Sequence, residues 1–96
     1  MTAYMVVRIN VTDMEQYKEY MKLTPAIIEK YGGKFIARGG ETLTLEGEEE
    51  TRRVVLVQFP SKEVAKNFYN SDEYQHAISV REGAATAQFV VIDGVD

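Results

Sequence analysis

The stretch Arg53–Phe59, RVVLVQF, is the most apolar run in the chain, and its reading decides the fold. Val55, Val57 and Phe59 alternate with Val54 and Leu56, so a strand built from it is apolar on both faces and belongs in the middle of a sheet. Only Tyr4–Val11, YMVVRINV, resembles it: Met5, Val7, Ile9 and Val11 take one side, and Tyr4, Val6, Arg8 and Asn10 the other. These two become the central strands, first and third in the chain order.

Thr12 and Glu15 form a capping box, with Asp13 and Gln16 offering the same spacing one residue on. A helix follows, in which Met14, Tyr17, Met21, Thr24, Ile28 and Tyr31 recur at helical steps and Gly32 caps the end. Pro25 removes one helical hydrogen bond and crowds the carbonyl of Met21, which predicts a kink or two helical pieces. Lys34–Arg38 reads as a strand that continues through Thr42–Glu46 after a bulge at Gly39-Gly40. The run Glu48, Glu49, Glu50 reads as a solvated turn. Beyond the central strand, Pro60 and Ser61 open a second helix, Ser71 and Asp72 cap a third running to about Arg81, and Gln88–Ile92 is the last strand.

This order predicts an α+β fold: one ferredoxin-like βαββαβ domain over residues 1–96, a four-stranded antiparallel sheet with helices on one face. Helices shield one face only, yet both central strands are apolar on both. A second copy packed sheet to sheet is the simplest cover, so a homodimer through the sheet face is expected.

Composition narrows the function classes. Net charge is −4 with scattered Lys and Arg, so no basic face for nucleic acid is visible. The chain has no cysteine, which excludes disulfides and thiolate chemistry. No signal sequence or membrane-spanning run is visible, and a cytoplasmic protein is the default expectation. No phosphate loop or metal motif appears, so neither metal nor cofactor is expected.

Within this frame a few residues carry candidate chemistry. Tyr74, Ala77, Ile78 and Arg81 share one face of the third helix. An arginine on an apolar stripe needs a partner. Arg81 then either anchors a substrate carboxylate or enolate, with Tyr74 as hydrogen-bond donor, or pairs with Asp93, Glu41 or the partner chain. His76 is the one histidine and the natural general base, although its helical position points it to the surface. Tyr20 and Thr24, near Pro25, are placed to line a pocket between helix and sheet. Arg38, before the paired glycines, would supply charge to a ligand approaching the backbone. Arg8, Asn10 and Gln58 are candidates for a polar network that sets dimer register.

The segments YGGKFIARGG (31–40), LEG (45–47), VVLVQFPSKEVAKNFYNSDEYQHAISVR (54–81) and VVIDG (90–94) resemble the bacterial family called domain of unknown function 1330, along essentially the whole chain. The resemblance implies the dimeric α/β-barrel superfamily, which includes cofactor-free monooxygenases, isomerases, haem-dependent chlorite dismutases and stress-response proteins. It implies chemistry between sheet and helices, without a cofactor here, on a small oxygenated or aromatic acid. The alternative it leaves is a ligand-binding or stress-related module without turnover.

Overall fold

Seven segments of this sequence take regular structure, in the order β1 (Ala3–Val11), α1 (Met14–Lys30), β2 (Lys34–Arg38), β3 (Arg53–Phe59), α2 (Lys62–Tyr69), α3 (Asp72–Val80) and β4 (Ala85–Asp93). They come from a computed structural model that describes residues 1–96. The strands form one antiparallel sheet in the order β2-β3-β1-β4, with the two doubly apolar strands in the centre. This is the α+β, ferredoxin-like arrangement. No helix is long and apolar enough to cross a membrane.

Alternation splits the sheet cleanly. Met5, Val7, Ile9, Val55, Val57 and Phe59 are buried beneath the helices, together with Tyr17, Tyr20 and Ile28 of α1, Phe68 of α2, and Tyr74 and Ala77 of α3. The opposite face carries Val6 directly across from Leu56 on one side and Val90 on the other. Val54, Tyr4 and Ile92 extend this apolar row, and Val90 and Ile92 are 46% and 59% exposed.

Helix α1 runs through Pro25 as one helix, not as the two pieces that were one of the two expectations there. The reason is local compensation. Proline leaves the Met21 carbonyl without its helical donor. That oxygen accepts instead from Arg38 Nη2 at 3.0 Å and, weakly, from the Thr24 hydroxyl at 3.4 Å. Pro25 is exposed, so replacing it removes little packing. Pro25→Ala is expected to stabilise the fold by about 1–2 kcal/mol: alanine's advantage within a helix, less proline's restriction of the unfolded chain. Urea unfolding of the two proteins checks this.

Three further local expectations change. The helix cap is Asp13, which accepts from the Gln16 amide at 3.2 Å; the Thr12 hydroxyl bonds the Ala84 carbonyl instead. The bulge in β2 falls at Ile36, ahead of the glycines, where the register shifts between Phe35 and Ala37. Thr42–Glu46 forms no ladder, and Leu43 and Leu45 are 82% and 89% exposed. A strand needs a neighbour, and within one chain this segment has none.

The acidic run also divides. Glu48 and Glu49 are exposed as expected, but Glu50 reaches Arg8 on the open face at 2.9 Å and Arg52 at 3.1 Å. Asn10 is exposed, and Arg8 pairs with Glu50 within the chain. Hydrogen bonds from Arg52, and then from Arg8, hold the Glu50 carboxyl down to about 2. A depressed carboxylate stabilises the fold above its ordinary range, near 4.5, and loses that contribution as pH falls toward about 2. The melting-temperature difference between the native protein and Glu50→Gln should therefore be full at neutral pH and shrink steadily below pH 4.5, as a pH series of thermal scans will show.

Candidate functional site

The core is not filled to its end. Where α1 crosses β3 and β2, a narrow cleft opens between helix and sheet, with a cavity of about 30 Å³, room for roughly one or two waters. Any larger occupant must displace side chains at the mouth, which Met21 and Arg38 border. Thirteen of its sixteen lining residues are hydrophobic, and none is Asp, Glu or His.

The floor is aromatic and polar together. Tyr20 from α1 and Tyr74 from α3 bring their hydroxyls to 2.5 Å. Phe68 stacks on Tyr74, 4.4 Å between ring centres, and fixes it from behind. Burial pushes the Tyr74 phenol up, Tyr20 adds to the rise, and Arg81 offsets part of it. Tyr17 behaves alike: burial raises it, Tyr20 adds, and Arg53 and Arg81 pull it back. Both therefore stay protonated at neutral pH.

Arg81 closes this floor from outside. It is 8% exposed, with its guanidinium 5.1 Å from the Tyr20 ring centre and 5.9 Å from that of Phe89. Burial lowers its pKa, and the Tyr20 and Tyr74 oxygens outweigh that, so the net shift is upward. None of the carboxylates expected for it is used: Asp93 pairs with Lys62 at 3.1 Å, and Glu41 is exposed. A buried cation resting on two phenols and two ring faces is an electropositive support for the hydroxyl pair.

Of the six candidates from the sequence, Tyr20, Tyr74, Thr24 and Arg38 line the cleft. Arg81 stands directly behind it. His76 does not join them. It is exposed on the outer side of α3, and the feature it contributes is a backbone carbonyl that accepts from Ser79. Its place on the helix, between the buried Tyr74 and Ala77, turns the ring outward.

One residue was missed. Arg53 begins β3 on the same side as Val55, Val57 and Phe59, which alternation alone reveals. Its guanidinium lies over Gly39, at φ +73°, so close that a Cβ there would stand 2.2 Å from Nη1. The glycine thus admits an arginine of this chain. Its Nε is buried without a hydrogen-bond partner.

A double-mutant cycle tests the floor. Tyr74→Phe or Tyr20→Phe should each cost about 1–3 kcal/mol by stranding a buried polar group. The double variant should cost less than the sum, because removing both hydroxyls leaves neither partner of the bond stranded. Additive losses in denaturant unfolding would show that the two hydroxyls do not depend on each other.

No three His, Asp or Glu side chains lie together as a metal group would require. The model of the family described as "Domain of unknown function (DUF1330)" matches residues 2–95. The chain belongs to the DUF1330 family. No curated protein matches it. Solved structures do, at identities that speak to fold alone. This DUF1330 chain is similar to RPA0582 of Rhodopseudomonas palustris, a protein of unknown function: TM-score 0.78, 19% identity, 99% of this chain and 83% of that one. It is similar to a dimeric ferredoxin-like protein of unknown function from Jannaschia sp. CCS1: TM-score 0.71, 12% identity, covering 98% and 100% of the chains. It is also similar to SnoaB of Streptomyces nogalater, a cofactor-independent oxygenase: TM-score 0.69, 12% identity, covering 99% and 94%.

Proposed function

We propose that this DUF1330 protein is a homodimer, joined through the open sheet face, whose subunits each bind a small oxygenated or aromatic acid in the α1–sheet cleft and act on it without a cofactor. The observation that carries the reading is the Tyr20–Tyr74 pair backed by Arg81. Between two hydroxyls 2.5 Å apart, one proton is shared and the other is free to point at a ligand oxygen. Arg81 behind them strengthens that donor without presenting a charge to the ligand. Such a pole stabilises an oxyanion.

The lining also argues against one branch of chemistry. An isomerase of the proton-abstracting kind needs a base, and no carboxylate or imidazole lines the cleft. Stabilising the anion of a readily ionised substrate, as in oxygenation, fits the residues better. The likeness to SnoaB supports the same side. The dimer is supported by the Leu56–Val6–Val90 row and by the dimeric Jannaschia protein of like fold.

The test is a thermal-shift screen of small aromatic and oxo acids, followed by incubation of each binder in air with oxygen uptake and product analysis. Turnover abolished by Tyr74→Phe, with binding weakened but still measurable, supports the reading. Tight binding without product establishes the non-catalytic module instead. No binder at all overturns both.

A further inference from the structure

We infer that Arg53, assisted by Arg38, is the anchor for the ligand's acid group, so that the cleft selects molecules with an anion at one end and an oxygen at the other. This rests on the reading that the cleft takes a small molecule, and it moves the anion away from Arg81.

The mouth of the cleft shares Met21, Arg38 and Arg53 with an open, shallow part of the surface that Lys18 and Lys22 also border. Four cations thus converge in a chain of net charge −4, and no acidic residue lines either space. The lysines already have neighbours on their own helix, Glu15 at 3.6 Å and Glu19 at 2.6 Å. The arginines have no carboxylate. Arg38 is held by the Met21 carbonyl at 3.0 Å and lies over the Phe35 ring, 4.5 Å from its centre. Arg53 makes a long contact, 3.5 Å to the Arg38 carbonyl, and faces the Tyr17 hydroxyl, while its buried Nε has no hydrogen-bond partner.

A buried guanidinium N–H without an acceptor is unfavourable, and native structures rarely tolerate one unless something else supplies the acceptor. A carboxylate does so in bidentate fashion, using Nε and a terminal nitrogen of the same fork. Placed there, the acid sits at the mouth, its apolar body extends inward past Tyr17, Ile28 and Val55, and a far oxygen meets Tyr20 and Tyr74. Arg81, sealed behind the phenols, is left for the far oxygen's field and not for the acid. The ligand class is a short aromatic or alicyclic hydroxy- or oxo-acid.

The probes are 4-hydroxybenzoate and its neutral counterpart 4-hydroxybenzamide, titrated by calorimetry into the native protein, Arg53→Gln, Arg53→Lys and Tyr74→Phe, each first verified as folded by circular dichroism. The acid should bind the native protein at least tenfold tighter than the amide. Arg53→Gln should erase that preference, Arg53→Lys should restore part of it, and Tyr74→Phe should weaken both probes while keeping it. Equal binding of acid and amide to the native protein, or an undiminished preference in Arg53→Gln, overturns the anchor and leaves the cleft reading standing. Failure of both probes to bind overturns the anchor and the cleft reading together. Acetate binding as tightly as 4-hydroxybenzoate, and only with Arg53 present, upholds the anchor and sinks the cleft.

Discussion

Leu56→Lys is expected to convert the protein to a monomer at micromolar concentration, read as a halving of mass by light scattering on gel filtration. Leu56 lies in the centre of the open face, opposite Val6 and next in line to Val90. A lysine there would place an ammonium in the middle of a sheet-to-sheet contact, where desolvating one unpaired charge outweighs the gain from a single apolar neighbour. Each fully buried aliphatic side chain contributes about 1.5–3 kcal/mol, so covering a face that holds five such residues and Tyr4 adds substantially to stability. Melting temperature should fall with the mass. Met14→Lys, on the helix side at a position 45% exposed, should change neither. A native protein already monomeric at that concentration would refute the proposed assembly.

Phe68→Ala should be the most damaging single truncation of the core, at about 3–5 kcal/mol. Phe68 is fully buried. Its ring meets Tyr74 at 4.4 Å, Phe59 at 5.2 Å and Tyr31 at 6.2 Å, which ties α2 to α3, β3 and the end of α1. The hole would open behind Tyr74, so the loss is felt in the site as well. Chemical denaturation gives the stability. Nuclear magnetic resonance of the aromatic region should show Tyr74 and Tyr20 broadened, and an unaltered spectrum of those rings would mean that Phe68 does not position them.

These two effects have opposite origins in the sequence. Leu56 could be placed on an uncovered face from alternation alone, since a period of two assigns every residue of a strand to one side. Phe68 reads as core from its helical stripe, but its tie to Tyr74 depends on how α2 and α3 meet. Pro25 shows the reverse failure. Local rules predict a kink or a break, and a residue thirteen positions later in the chain, Arg38, supplies a donor to the carbonyl that proline leaves unpaired. Thr42–Glu46 has a strand's pattern and no strand, because pattern selects a face and says nothing about whether a neighbour exists to pair with.

The amino-acid sequence alone determined the order of elements, the two central strands, the bare face, and the shared helix face of Tyr74 and Arg81. Those follow from short-range periodicity. Tertiary structure decided that the Tyr20 and Tyr74 hydroxyls meet across 54 residues, that Arg81 rests on phenols instead of a carboxylate, and that Arg53 lies over Gly39 with a donor unused. Hydrogen bonds are set to within tenths of an ångström by packing between distant segments, and no periodicity carries that information.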